Sequence, residues 1–422
     1  MLKISKTHYI DEFEKGPIRR SLFTNGAVSL FHHASNFSGA KVQLHFLAGS
    51  MFESADQHGL SHLIEHLAFK DYETNIIRTL ELMGAQLNAY TYKENVCFEM
   101  SCVSSKLEHM LPMFLGNFLN INFSDIELSK EKEVIMQELR DDLDDHETQA
   151  VEYAFRKNFD EHIGHPIGGN ISQVKKYKRK DVESYYKKYY RPDRMILVVV
   201  AGTQFDQLED IYTKQMNQFY KFSAKKPFRL QAKNKLTNLK HFQVKIKKKM
   251  ENGLLVFSFD GPSLNSSSYY DFIVLDELLF EGMSSIFFRK LREDKPLVYG
   301  YGSSINCFSK SGNYLMIFNA QKKNLTKVRA ACKEVIDYYC EHSFDVEDIE
   351  LVKSRVLDSW ELSFDDLDER VEFIAGSEIY QLDEFSVLKV KAKIQQTSPE
   401  SIQKIFKKIK STQYSELLIE PN

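Results

Sequence analysis

Gln57-His58-Gly59-Leu60-Ser61-His62-Leu63-Ile64-Glu65-His66-Leu67-Ala68-Phe69 is the stretch on which the reading of this chain turns. Leu60, Leu63, Ile64 and Leu67 recur at steps of three and four residues, the spacing of one helical face, so a helix is predicted over about 57–69. On that helix His62 and His66 stand one turn apart on a common face, and their imidazoles can converge on one metal ion. Glu65, three residues after the first histidine, can hang beside such an ion without ligating it and take a proton from its water. Two half-buried histidines with a solvent-facing glutamate are the plainer reading of the same residues. A third ligand would decide between the two.

Catalytic zinc generally uses three protein ligands and keeps one position for water. Downstream, Ser129-Lys130-Glu131-Lys132-Glu133-Val134-Ile135-Met136-Gln137-Glu138-Leu139-Arg140 belongs to a long helix predicted from 125 towards 145. Glu131 and Glu138 are seven residues apart there, about two turns, so both carboxylates can look the same way.

The surroundings of these helices alternate strand and helix. Strands are predicted at 27–31 and 41–47, where Val42, Leu44 and Phe46 share one face, and at 86–92 and 96–103. Helices are expected over 74–83, stopped by Gly84, and over 106–120 and 182–190. Arg191-Pro192 breaks the last of these before the β-branched run 195–200, which reads as a buried strand. A helix near 207–220 closes the half. The second half replays this order with a strand at 254–259, a Gly-Pro corner and a helix around Val274 to Phe280, which points to one old duplication and not to a short-period repeat.

With 422 residues the chain is too long for one core and suits two domains. Apolar residues at 43% and charged ones at 27% mark a folded globular protein and exclude disorder. Between 221 and 249 stand eleven basic residues and no acidic one; a solvated linker running into an edge strand explains them, and a patch for anionic surfaces is the sharper alternative. The expected division is therefore 1–220, a basic linker and first strand at 221–249, and 250–422. The net charge of −3 provides no global field towards nucleic acid or anionic lipid. No apolar run approaches the roughly 20 residues of a membrane span, and the start shows neither a secretory nor an organellar leader pattern, so a cytoplasmic location is expected. The five cysteines, scattered and without zinc or CxxC spacing, fit reduced, mostly buried thiols.

HxxEH followed about 70 residues later by a paired-glutamate helix resembles the family of pitrilysin, insulin-degrading enzyme and mitochondrial processing peptidase, also called M16 or inverzincins. The likeness extends to Gly49-Ser50-Met51-Phe52-Glu53 before the motif, Phe69-Lys70 after it, Gly84-Ala85-Gln86-Leu87-Asn88-Ala89-Tyr90-Thr91, and Tyr189-Tyr190-Arg191-Pro192 leading into 195–202. It implies an α+β fold of two duplicated domains, each a mixed or antiparallel sheet covered by helices and together forming half of a clamshell. It further implies one Zn2+ per chain held by His62, His66 and Glu138, with Glu131 orienting a ligand histidine and Glu65 as general base on zinc-bound water. Asn88 and Ala89 would lie on the edge strand that pairs with a peptide main chain.

In the second half, Arg292 and Tyr299 resemble the family's arginine and tyrosine separated by seven residues, which reach the substrate across a chamber. Taken alone they read as a surface cation and an aromatic strand residue. The expected function is thus a zinc-dependent endopeptidase acting on peptides or small unstructured polypeptides in an enclosed chamber, with no nucleic-acid or membrane partner. Both motifs in one chain favour a homodimer over a heterodimer with a related chain. A non-catalytic structural subunit is the rival, and the intact His62, Glu65, His66 and Glu138 argue against it. His32, His33, His162 and His165 read as structural or exposed. Asp71-Tyr72 in place of the family's usual Gly-Thr, Ala85, Pro296 and Val298 depart from the pattern at the chamber wall without removing a ligand.

Overall fold

A computed structural model describes residues 3–10, 13, 15–70, 75–220, 223–230, 242–382, 385–411 and 414–422. The chain divides into two compact units that are discontinuous in sequence. The first comprises Met1–Asp141, His165–Gln231 and Ser363–Val387, the second Asp142–Gly164, Ala232–Leu362 and Leu388–Asn422. Relative to the contiguous stretches 1–220 and 250–422, the segments 142–164 and 363–387 have exchanged places. Asp71 and Tyr72 lie outside the described residues, as do Lys221, Lys233, Lys235 and Lys240 of the basic segment.

The first unit is built on a seven-stranded sheet of β1 (Ile4–Ile10), β2 (Ile18–Phe23), β3 (Val28–His33), β4 (Gly39–Phe46), β5 (Gln86–Thr91), β6 (Val96–Val103) and β7 (Met195–Ala201), in the order β1-β2-β3-β7-β4-β6-β5. β3 and β7 run parallel, and every other neighbouring pair is antiparallel. β7 lies inside the sheet with every residue buried, as its unbroken apolar run requires. Among its helices are α1 (Leu60–Ala68), α2 (Ile76–Leu82), α3 (Leu107–Phe118) and α4 (Asp125–Asp144), whose last turn passes into the second unit, where α5 (His146–Asn158) follows. α1 starts three residues later than its periodicity suggests, because Gly59 adopts a left-handed backbone at φ 94° and residues before it form a turn.

The two faces of this sheet differ by one residue of register. Val42, Leu44 and Phe46 join Phe98, Met100 and the apolar stripe Leu60, Leu63, Ile64 and Leu67 in one core, which seats α1. Lys41, Gln43 and Glu99 point the other way and are buried. Lys41 pairs with Glu99 of the same sheet, and the helix Leu367–Tyr380 supplies further acceptors: Lys41 Nζ donates to Glu99 at 3.0 Å and to Asp368 at 2.8 Å, and Gln43 Nε2 donates to Glu99 at 3.2 Å and Glu372 at 2.7 Å. Buried charge demands such partners, and residues 363–387, which provide them, belong to the first unit.

In the second unit β8 (Gln243–Lys248), β9 (Gly253–Asp260), β10 (Gly300–Cys307), β11 (Gly312–Ala320) and β12 (Ser415–Pro421) form a sheet in the order β10-β11-β9-β12-β8. β8 and β12 are parallel and the rest antiparallel. This is the order and sense of β5-β6-β4-β7-β3, so the duplication covers five strands and leaves β1 and β2 without counterparts in the second sheet. The helix Tyr269–Phe280 follows β9 as α1 follows β4, but it carries no histidine. α5 buries Ala150, Ala154 and Phe155 against Leu254, Val256, Leu315, Leu417 and Ile419. Lys245, Lys247 and Lys248 sit on β8, an edge strand whose Val244 and Ile246 turn inward. No helix among the described residues is long and apolar enough to cross a membrane.

His32, on β3, is 1% exposed and packs edge-on against Phe13. Burial pushes its imidazole down to about 4, against the opposing pull of the Pro17 carbonyl, with Arg370 and His33 adding to the fall. The unfolded chain therefore binds the extra proton between about 4 and 6.5, so the stability owed to neutral His32 is whole above that window and is lost as the pH falls through it. The stability advantage of the wild type over His32→Phe should shrink by up to about 3 kcal/mol on acidification across this range. Denaturant titrations at several pH values check this, and a pH-independent difference would refute it.

Candidate metal centre

α1 presents His62 and His66 one turn apart with ring centroids 4.6 Å from each other and Nε2 atoms 3.3 Å apart. The approaching carboxylate comes from α4: Glu138 Oε2 stands 3.6 Å from His66 Nε2. Two turns earlier on that helix, Glu131 Oε2 lies 3.3 Å from His66 Nδ1. With Nδ1–H donating to Glu131, the lone pair of His66 Nε2 is left to face His62 and Glu138. Lys70 Nζ, 2.9 Å from Glu131 Oε1, holds the second oxygen of that carboxylate.

The helix that bears these glutamates supplies them at different depths. Glu131 is 8% exposed at its side chain and Glu138 45%, so the first is locked in a packed environment and the second reaches the open side of the site. Glu65, beside the two histidines, accepts a hydrogen bond from the Thr91 hydroxyl of β5. One donor atom from each of His62, Glu65 and His66 lies within 4.8 Å of the other two. Burial raises the Glu65 carboxyl above the ordinary carboxylate range; the Thr91 hydrogen bond and His66 oppose the rise, and Glu138 adds to it. A carboxylate so raised is a better proton acceptor than a solvated one.

Burial, reinforced by the neighbouring His66, pushes the His62 imidazole down to about 4. It is therefore neutral at ordinary pH, the form that ligates metal. Zinc at about 2.0–2.1 Å from tetrahedrally arranged ligands requires ligand atoms about 3.4 Å apart, and two imidazoles with a carboxylate are a donor set that suits it. His62 Nε2 and Glu138 Oε2 stand at 3.3 and 3.6 Å from His66 Nε2, while the group whose donor atoms all lie within 4.8 Å of one another among the described residues is His62, Glu65 and His66, without Glu138; the donor types fit zinc, and Glu138 approaches the centre through His66. Magnesium or calcium would call for an oxygen-rich shell that is not assembled here among the described residues.

Asn88 and Ala89 lie on β5, one of the two edge strands of the first sheet. The Ala89 N–H donates to the Asn88 side-chain carbonyl at 2.9 Å, and Asn88 Nδ2 donates to the Tyr90 hydroxyl at 2.6 Å. A peptide strand pairing at Ala89 would exchange the first of these bonds for its own. Arg292 and Tyr299 belong to the second unit. Arg292 is exposed, with its guanidinium 5.8 Å from the Phe288 ring, and Tyr299, 59% exposed, accepts from Gln321 Nε2 at 2.7 Å. His32 and His165 are buried, and neither belongs to the donor cluster.

Sequence reasoning gave no role to Thr91 or Lys70. Thr91 could have been found from strand alternation, since Leu87, Ala89 and Thr91 share the face turned to α1. Lys70 is recognisable only through its tertiary contact with Glu131.

Residues 30–167 match the family described as Insulinase (Peptidase family M16), and residues 176–356 match the Peptidase M16 inactive domain. All five site residues on α1 and α4 fall in the first match and none in the second. The chain is 25% identical over 358 residues to an uncharacterized zinc protease of Bacillus subtilis, covering 82% of this chain and 85% of that protein. It is 26% identical over 302 residues to an uncharacterized zinc protease of Rickettsia felis, covering 69% and 71% respectively. A protease from Helicobacter pylori superimposes with a TM-score of 0.85 at 15% identity, over 99% of this chain and 100% of that one. The peptidase M16 inactive domain from Pseudomonas fluorescens does so with a TM-score of 0.84 at 16% identity, over 96% and 98%. These structural likenesses bear on the fold, the sequence matches on descent, and together they make the chain a member of peptidase family M16.

Proposed function

We propose that the chain is a zinc-dependent endopeptidase acting on peptides or small unstructured polypeptides, with one Zn2+ held by His62, His66 and Glu138. The observation that carries this reading is the convergence on His66 Nε2 of His62 Nε2 at 3.3 Å and Glu138 Oε2 at 3.6 Å, with Glu65 alongside. Zinc, when bound, supplies Lewis acidity that polarises a carbonyl and acidifies water. Glu65 is the general base. It accepts a proton from the attacking water as the new C–O bond forms, and delivers it to the amine nitrogen as the C–N bond breaks. Thr91 steadies one Glu65 oxygen, while Glu131, itself held by Lys70, keeps His66 in the tautomer that points Nε2 at the site.

The outer edge of β5 at Asn88 and Ala89 offers main-chain pairing to an extended peptide. Arg292 and Tyr299 would meet the substrate from a second copy of the chain, closing a chamber; a guanidinium and a phenol suit a carbonyl oxygen that gains charge during attack. A homodimer is favoured because one chain carries both sets of residues. The free thiols of all five cysteines suit a reducing compartment, and the cytoplasm is the proposed site of action.

Glu65→Gln should keep one zinc per chain while losing about 100- to 10,000-fold in kcat on a mixed peptide library, read by metal analysis and product mass spectrometry. Turnover at the wild-type rate by this variant would refute the role of Glu65. His62→Ala should lose its zinc, and full occupancy without that imidazole would refute the ligand set. Mixing Glu65→Gln chains with Arg292→Ala chains should restore part of the activity that each lacks; a fully active wild-type monomer in sedimentation-coupled assays would refute the shared site.

A further inference from the structure

Glu53 sits six residues ahead of Gly59, the residue that caps α1, and its side chain is wholly buried. Gly59 has no side chain with which to satisfy the free N–H groups of the helix start, and none is bonded by a cap side chain of its own. The Glu53 carboxylate takes that place. Its Oε2 accepts from the Gly59 N–H at 2.8 Å, and its Oε1 accepts from the Ser61 N–H at 2.7 Å and from the Ser61 hydroxyl. A negative group at this end also complements the helix dipole. On its far side His165 Nε2 stands 3.2 Å from Oε2, so the tautomer protonated at Nε2 completes the set.

The loop that begins at His165 is seated against both helices of the metal centre. Lys93 Nζ donates to the His165 carbonyl. A Cβ at Gly169, where φ is +73°, would fall 2.3 Å from the His58 carbonyl oxygen, just ahead of α1. A Cβ at Gly168 would come within 3.1 Å of Leu139 Cδ2, beside Glu138, and 3.6 Å of His62 Nδ1. The start of α1, the His62 ring and the Glu138 region of α4 thus meet one buried clamp whose charge is the Glu53 carboxylate.

We propose that Glu53, held by His165, is the positioning residue of the metal centre: it sets where α1 begins and so where His62 and His66 stand relative to α4. This rests on the zinc reading above. The test uses the full chain stripped of metal, with zinc ion as the probe and a chromophoric chelator as competitor, and with melting of the metal-free protein followed in parallel. Glu53→Gln should weaken zinc binding about 10- to 100-fold, the range seen when groups that orient metal ligands are removed. His165→Ala should weaken it in the same sense, and the double variant should be no worse than Glu53→Gln alone, because both act through one clamp. Glu99→Gln, which removes a buried carboxylate from the opposite face of the sheet, should lower the melting temperature and leave zinc affinity unchanged.

Unchanged zinc affinity in both Glu53→Gln and His165→Ala would overturn the proposal, as would an equal loss in Glu99→Gln, since general loosening would then suffice. If Glu53→Gln does not fold, His165→Ala decides alone. Wild-type protein that takes up no zinc would instead remove the reading of the centre itself, a result separable from failure of the clamp.

Discussion

His66 is the side chain through which the two chemical helices are joined. Its Nδ1 is committed to Glu131 and its Nε2 faces both His62 and Glu138, so one imidazole ring reads the position of α4 from both of its nitrogens. A ring has no freedom to satisfy those partners separately. If α4 slid along its axis by one residue, about 1.5 Å, Glu131 and Glu138 would leave their nitrogens together. The spacing of seven residues between the glutamates and of four between the histidines therefore has to coexist with one particular packing of α1 against α4. Burial adds the electrostatic half of the arrangement by keeping His62 neutral and raising the proton affinity of Glu65.

That packing is inherited from the sheet. The apolar face of β4 and β6 seats the stripe of α1, and this places the opposite, histidine-bearing side of the helix away from the core. On the other face of the same strands the helix Leu367–Tyr380 covers Lys41 and Gln43 and supplies Asp368 and Glu372 as their hydrogen-bonding partners in place of water. A segment that lies more than 250 residues from β4 in sequence thus completes the hydrogen bonds of that strand's odd-numbered side chains.

The second sheet repeats the order and sense of five strands of the first, including the single parallel pair, yet among the described residues only α1, the helix after β4, carries histidines in a candidate metal cluster, whereas the helix after β9 has none. In the second unit the corresponding helix, Tyr269–Phe280, is apolar on nearly every side and buries Tyr270, Phe272, Val274, Leu275, Leu278 and Leu279. The duplicated fold is a packing solution, and the candidate site stands on one copy of it.

The helices and strands around the centre were legible because their signals are local: Leu60, Leu63, Ile64 and Leu67 mark a helical face, Val42, Leu44 and Phe46 mark a strand face, and Arg191-Pro192 marks a break. β1 escaped, since Ile4 to Ile10 is exposed along most of its length and shows no apolar alternation from which an edge strand could be read. The division into units escaped too, because α5 follows α4 directly in sequence while its Ala150, Ala154 and Phe155 pack with the second sheet. Within the centre, sequence by itself determined which residue types were offered and on which helical face, for 3.6 residues per turn puts His62 over His66 and Glu131 in line with Glu138. Only the tertiary structure decided that these two faces meet, that Thr91 and Lys70 hold the carboxylates in place, and that Glu53 closes the start of α1, because each of those contacts joins segments whose approach is set by burial of surfaces elsewhere in the chain.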